Sequence, residues 1–206
     1  MLFAALEEKS VRLKCADILG QFCPAKATRF FHKIAQRELE SNRPDSSWLN
    51  AAIHATGYSD LGQATELLVS IFERGDLPGT IRGDAGDKLG CCEFDRRTRL
   101  YRRCRDAVIR GLSEDSIHIQ FWSMYVIASL CNVAGSRQTI DRAFRSALPR
   151  LREIAKHDHR LAPGYWWPMS AEAEDAISCM QNGIFPEVDA AERWRDNSTR
   201  GVWDDD

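Results

Sequence analysis

Residues 11–20 read VRLKCADILG: an apolar residue, an arginine, two variable residues, two small residues, two variable residues, an apolar residue and a glycine. Residues 81–90, IRGDAGDKLG, repeat this pattern in full. Looser copies occupy residues 48–57, 119–128 and 169–178, so the five copies end at positions 20, 57, 90, 128 and 178. Spacings of about 33–47 residues are typical of helical-hairpin repeats, and only the last interval is longer.

Each copy has the features of a helix that packs closely against a neighbouring helix. Its apolar positions fall on one helical stripe, and its small positions allow another helix to approach. We therefore expect Ala52, Ala85, Ser123 and Ala173 to be buried. The closing glycine is expected to end the helix in the left-handed conformation.

A second helical pattern follows each of the first four copies, at residues 25–39, 62–74, 98–112 and 137–155. The chain is thus expected to alternate A helices, which contain the copies, with B helices. Pro149 lies inside the last B pattern and should kink or split it. Asp45, Asp76 and Asp115 precede A helices and are expected to cap them. The periodicity stops at residue 183, which predicts a repeat domain over 1–183 and an irregular acidic tail over 184–206.

Two stretches carry a family resemblance. Residues 119–128 (IQFWSMYVIA) and 167–177 (WPMSAEAEDAI) resemble helices of bacterial HEAT-repeat proteins, including the lyase-like variety, and the similarity extends over about residues 3–182. It implies an all-α fold, an α-solenoid (an α-α superhelix) of about five HEAT-like hairpins whose B helices line a concave face. Leu49 and Gln120 stand where the family pattern has arginine, so a continuous aspartate–arginine ladder between repeats is not expected.

Composition restricts the class of protein. The chain has 206 residues, a formal net charge of -2, 44% hydrophobic and 28% charged residues, as expected for a globular protein and not for a dedicated nucleic-acid binder. Its seven cysteines are odd in number and form no Cys-x-x-Cys pair. Free, reduced and mostly buried thiols in the cytoplasm are the expectation. The sequence shows neither a leader pattern nor an apolar run long enough to span a bilayer.

The strongest charge feature is a cluster of arginines on the third B helix. Helical periodicity places Arg99, Arg102, Arg103 and Arg110 on one face, and Arg142 and Arg145 follow on the next B helix. Guanidinium groups pair well with carboxylates and phosphates, so these six residues are the predicted partner-binding site for an acidic protein. The alternative is a solvated face whose arginines pair with acids of the same chain.

The other candidate residues are interpreted as structural parts of the protein and not as catalytic or metal sites. His157, Asp158 and His159 lack the further ligands that a metal site needs, so no metal is expected. Cys91 and Cys92 are interpreted as buried small residues, and the aromatic group at residues 165–167 beside Glu172 as a packed plug for the last repeat. No catalytic motif is recognised, so neither an enzyme nor a cofactor is expected.

The leading hypothesis is a non-enzymatic scaffold or adaptor, or an immunity-type inhibitor, that holds a protein partner in its concave groove. Two alternatives remain: a HEAT-like DNA glycosylase or other nucleic-acid binder, and a bilin lyase-like protein that handles a chromophore. Should the arginine face not be the site, the next candidate is the groove between the helix at 137–155 and the segment at 165–167.

Overall fold

The protein is helical throughout the described part of the chain. A computed structural model describes residues 5–57, 62–132 and 140–198. Within these ranges the only β pairing is an isolated bridge between Leu161 and Pro168, and no strand is formed. The chain divides into two compact units, Met1–Cys104 and Arg105–Asp206, and each is described by itself.

Among its described residues, the first unit contains five complete helices and the beginning of a sixth. Helix α1 contacts α3 and α3 contacts α5, while α2 contacts both α3 and α4, and α4 contacts α5. Helices that carry the repeated pattern therefore adjoin one another, and the B helices between them do the same. The helices are α1 (Lys9–Phe22), α2 (Pro24–Glu40), α3 (Ser46–Thr56), α4 (Gly62–Phe72), α5 (Gly79–Leu89) and α6 (Arg99–Gly111).

Local sequence explains where several of these helices begin. Pro24 opens α2, where its missing N–H costs nothing. Asp45 caps α3, because its carboxylate accepts a hydrogen bond of 2.9 Å from the Ser47 amide. The core of the unit is formed by side chains such as Leu49 and Phe72, which have no exposed surface.

The second unit is built around the helix Met169–Asn182, which contacts each of the four other α-helices described in this unit. This helix contacts Ile117–Cys131 and Leu148–His157 to the same extent, and most residues of Ile117–Cys131 are buried. The helices are α7 (Ile117–Cys131), α8 (Ile140–Phe144), α9 (Leu148–His157), α10 (Met169–Asn182) and α11 (Ala190–Ser198), with a 3-10 turn at Arg145–Ala147 between α8 and α9.

The repeated pattern predicted these helices well. All five copies lie in helices, and Ala52, Ala85, Ser123 and Ala173 are each completely buried. The last B pattern is split just before Pro149, as expected, although its residues 137–139 lie outside the described ranges. None of the helices in those ranges is long and apolar enough to cross a membrane.

The closing glycines do not take the expected left-handed conformation, although Gly57 and Gly90 do follow the last residues of α3 and α5. Gly20 lies inside α1, and Gly57 and Gly90 have right-handed φ values of -62° and -63°. A Cβ atom at Gly57 would lie 2.8 Å from Cδ of the flexible Lys88 side chain, which can move away. Of the described residues with positive φ, one does end a helix in the left-handed conformation: Gly183, after α10.

Two predicted caps and the predicted irregular tail also need correction. Helix α5 follows Pro78, and Asp76 is instead bound by Arg74, whose Nε donates to it at 2.6 Å. Helix α7 follows Ser116, which makes no capping hydrogen bond, so Asp115 is not its N-cap. Within 184–206, residues 190–198 form α11, while residues 199–206 lie outside the described ranges.

Candidate functional site

Helix α6 presents a clear division between a buried and a polar side. Its start is fixed by Thr98, whose hydroxyl accepts a hydrogen bond of 3.1 Å from the Tyr101 amide. Tyr101, Cys104 and Val108 are buried on one side of the helix. Six arginines were predicted to form the partner site, four of them on this helix.

In the first unit, two of these arginines are available and one is not. Arg99 and Arg102 are exposed, and their side chains make no hydrogen bond or ion pair with the described residues. Arg103 is half-buried and donates a hydrogen bond of 3.1 Å to the Ser70 hydroxyl and another to the Glu73 carboxylate. The hydrogen bond with Glu73 raises the pKa of Arg103 above its ordinary value. Arg103 therefore clamps α6 to α4.

In the second unit, Arg110, Arg142 and Arg145 are exposed and have no ion pair among the described residues. Arg142 lies on α8 and Arg145 opens the 3-10 turn. Arg105, in contrast, donates to the carboxylate of its neighbour Asp106 at 2.7 Å. Five of the six predicted contact residues thus present free guanidinium groups, and the sixth, Arg103, is committed to the fold.

The aromatic group of the second unit is part of the packing, as predicted. The Tyr165 ring lies 5.1 Å from the Phe121 ring and 4.3 Å from the Trp167 ring. The indole N–H of Trp167, a buried residue, donates a hydrogen bond of 3.1 Å to Glu172. Trp166 differs because 51% of it is exposed, and its indole N–H donates to the Ala191 carbonyl at 3.4 Å.

Helix α10 carries two buried carboxylates, of which Glu172 is named from the sequence only as a neighbour of the aromatic group and Asp175 is not named. Glu172 and Asp175 are only 5% and 4% exposed. Burial raises the pKa of Glu172 to about 7, the Trp167 hydrogen bond acts in the opposite direction, and the nearby Asp175 and Asp189 raise it further. Burial also raises the pKa of Asp175, against the effect of its hydrogen bonds. One signal in the sequence could have predicted the burial of Glu172 and Asp175. Helical spacing puts them beside Met169, Ala173 and Ala176 on the apolar stripe of WPMSAEAEDAI.

Asp175 fastens α11 to α10. Its Oδ2 accepts a hydrogen bond of 2.6 Å from the Ala190 amide at the start of α11, and its Oδ1 lies 2.7 Å from a terminal nitrogen of Arg193. Arg193 also donates to the Ala171 carbonyl at 3.3 Å and to the Val188 carbonyl at 2.7 Å. The C-terminal helix is therefore held by a buried carboxylate and one arginine.

A cleft of about 540 Å³ lies in the second unit where α9, the segment that follows it, α10 and α11 meet. This is close to the groove that the sequence left as the second candidate. The side chains that give it polar character are those of His159, Ser170, Glu174, Arg193 and Trp194, and its apolar lining comes from Ala155, Pro168 and Ala171.

The histidine and cysteine candidates are placed as follows. Asp158, between His157 and His159, accepts hydrogen bonds from Arg160 at 2.6 and 2.9 Å, which lower the pKa of its carboxyl. The seven cysteines are free, but Cys91 is exposed and Cys92 is half-buried, so the interpretation of this pair as buried residues is wrong. They follow the C-terminal end of α5, where the Cys92 thiol donates to the Lys88 carbonyl at 3.3 Å. Partial burial raises the pKa of Cys92.

Comparison with models of known protein families, with curated proteins and with solved structures found no match to this chain.

Proposed function

We propose that this protein is a non-enzymatic scaffold or adaptor of the HEAT-like solenoid type, which binds an acidic protein partner through exposed arginines. The contact in the first unit is made by Arg99 and Arg102 on α6, and Arg110, Arg142 and Arg145 supply cationic contacts in the second unit. The two arginines of the first unit, Arg99 and Arg102, are called the arginine face.

The observation that carries the proposal is the difference between arginines of the same helix. Arg103 and Arg105 are paired with acids of their own unit, whereas Arg99 and Arg102 have no such pair among the described residues. A structural network would engage all of them. An exposed guanidinium keeps five N–H donors in a planar fork that suits a carboxylate.

The test is a charge reversal at Arg99 and Arg102 together. Exposed ion pairs contribute only about 0–1 kcal/mol, and an acid in the first turn of a helix is favourable, so Arg99→Glu with Arg102→Glu should leave thermal stability nearly unchanged. Immobilised protein would capture partners from the native lysate, with mass spectrometry to quantify them. The charge-reversed protein should lose the partner, and the capture by the original protein should weaken as salt is raised.

A matched control reverses the same number of charges elsewhere in the first unit. Lys26 and Lys33 are exposed on α2, so Lys26→Glu with Lys33→Glu changes the net charge equally without touching α6. This control should retain the partner, and cross-links from the partner should map to α6. Equal capture by all three proteins would exclude the arginine face, while unfolding of the Arg99 and Arg102 variant would show that these arginines are structural.

A further inference from the structure

We propose that the cleft between α9, α10 and α11 binds a positively charged alkyl group, namely a primary ammonium or a guanidinium on a short aliphatic stem. This site lies on other elements than the arginine face, and its ligand has the opposite charge. The proposal depends on three features: walls that are already fixed, a carboxylate that keeps accepting capacity, and an aromatic side chain next to an apolar lining.

The walls of the cleft are held in place by hydrogen bonds. The Ser170 amide at the start of α10 donates to the Asp158 carbonyl at 2.9 Å, which fixes α10 to the end of α9. On the other side, Asp175 holds α11 through the Ala190 amide and Arg193. Because the walls are already ordered before a ligand binds, little of the binding free energy is lost in ordering them.

The charges of the cleft favour a cationic ligand. Arg193 is directed to Asp175 at 2.7 Å and to the carbonyls of Ala171 and Val188, so its terminal nitrogens are already in use. Glu174 is 59% exposed, and its Oε2 lies 3.6 Å from Arg193, which is too long for a good hydrogen bond. The Glu174 carboxylate therefore forms only a long ion pair with Arg193 and can still accept hydrogen bonds from a cationic ligand.

The remaining lining suits the stem and head of such a ligand. Trp194 is partly exposed in the cleft, and an indole face attracts an ammonium or guanidinium group by about 0.5–2 kcal/mol. Ala155, Pro168 and Ala171 offer an apolar surface for methylene groups. A volume of about 540 Å³ is enough for one long side chain of a partner or for a small free amine.

The experiment uses the full chain and defined probes. Nuclear magnetic resonance titrations would compare a lysine tripeptide with blocked ends, the same tripeptide with norleucine in place of lysine, and n-butylammonium. The lysine peptide should bind with a Kd of about 1 mM and shift the signals of α10 and α11, while the norleucine peptide should not. Binding of n-butylammonium as well would identify a small-amine site, and binding of the peptide alone would identify a site for a partner's side chain.

Variants locate the binding to this cleft. Glu174→Gln keeps the shape of the side chain and should weaken the lysine peptide about 10-fold, and Trp194→Leu should weaken it several-fold. Glu192→Gln is the matched control, because Glu192 is exposed on α11 but does not line the cleft, and its affinity should be unchanged. The proposal is overturned if no saturable shift occurs up to about 10 mM, or if Glu174→Gln and Glu192→Gln bind equally.

Discussion

The guanidinium of Arg160 donates a hydrogen bond of 3.1 Å to the side-chain oxygen of Gln120. The amide nitrogen of Gln120 in turn donates to the Glu114 carbonyl at 2.5 Å. Gln120 is buried, and both ends of its side chain are thereby satisfied. Arg160, three residues after the end of α9, thus supplies a guanidinium at the position of α7 where this copy has glutamine in place of the arginine of the repeated pattern.

The copies with arginine at this position use it in the same way toward the backbone. Nε of Arg12 donates to the Leu6 carbonyl at 2.7 Å, and Nε of Arg82 donates to the Phe72 carbonyl at 2.8 Å. In each case a buried side chain from an A helix satisfies a carbonyl earlier in the chain. In these three copies the position therefore holds a buried donor, and at Gln120 a second residue, Arg160, brings the charge.

Replacing Gln120 by alanine should lower the free energy of unfolding by about 1–3 kcal/mol, because the Glu114 carbonyl and the Arg160 guanidinium each lose a partner. Urea denaturation of the two proteins measures this difference. Gln63→Ala, at an exposed position of α4, is the control and should change stability by less than about 0.5 kcal/mol. Equal stability of the Gln120 variant and the original protein would mean that these hydrogen bonds contribute nothing.

Gly111 gives a second prediction, which concerns close packing inside the second unit. A Cβ atom at Gly111 would lie 2.2 Å from the Ser123 hydroxyl oxygen and 3.0 Å from Cγ2 of Ile119. Gly111→Ala should therefore destabilise the protein by about 1–3 kcal/mol, although alanine is the better helix former. Gly75→Ala is the control, since nothing lies within 4 Å of a Cβ atom there.

The cause of the Gly111 effect can be tested separately. The Ser123 hydroxyl is buried and has no hydrogen-bond partner among the described residues, so Ser123→Ala should cost little. In that background Gly111→Ala should be less destabilising, because the closest atom has been removed. Thermal unfolding of the original protein, the two single variants and the double variant measures the coupling energy between positions 111 and 123. If the two substitutions have purely additive effects on stability, the Ser123 hydroxyl is not what a Cβ atom at Gly111 clashes with.

The third prediction tests the register of the repeat. Ala85 has no exposed surface and lies on α5, which contacts both α3 and α4. Ala85→Leu would force extra methyl groups into this contact and should destabilise the protein by about 1–3 kcal/mol. Chemical denaturation measures it, with Asp87→Leu as the comparison at a partly exposed position of the same helix. If both leucines have the same effect, the pattern has been aligned with the wrong face of α5.

What the sequence predicts and what it does not can be seen from individual residues. The burial of Ala52 and Ala85 follows from local spacing, because helical periodicity alone sets which face is apolar. The pairing of Arg103 with Glu73 does not, since it depends on which side chains of α4 and α6 meet across 30 positions of the chain. The same limitation affects the cleft. Its lining comes from three helices and a connecting segment, and their proximity is a property of packing that no local motif encodes.

The last prediction concerns Glu172 and the pH dependence of stability. Burial raises its pKa in the folded protein to about 7, against a value of 4.5 for an ordinary glutamate. Because the folded state holds the proton more tightly, its stabilising contribution is complete below the unfolded pKa. That contribution is lost as pH rises toward the folded pKa. The difference between the folded and unfolded pKa values corresponds to about 3 kcal/mol in the free energy of unfolding. This stabilisation is lost as the pH rises from about 4.5 to about 7.

Glu172→Gln should remove this loss, because a glutamine stays neutral and its amide oxygen can still accept the Trp167 hydrogen bond. The variant should resemble the original protein near pH 5 and exceed it by up to about 3 kcal/mol near pH 8, as measured by urea denaturation at a series of pH values. Asp175 also titrates with a raised pKa, but it is present in both proteins and largely cancels in the comparison. Glu174→Gln, at an exposed position of the same helix, should leave the pH profile unchanged. If the Glu172 and Glu174 variants follow the same profile, then Glu172 is ionised in the folded protein at neutral pH, and its burial beside Trp167 costs less than the structure implies.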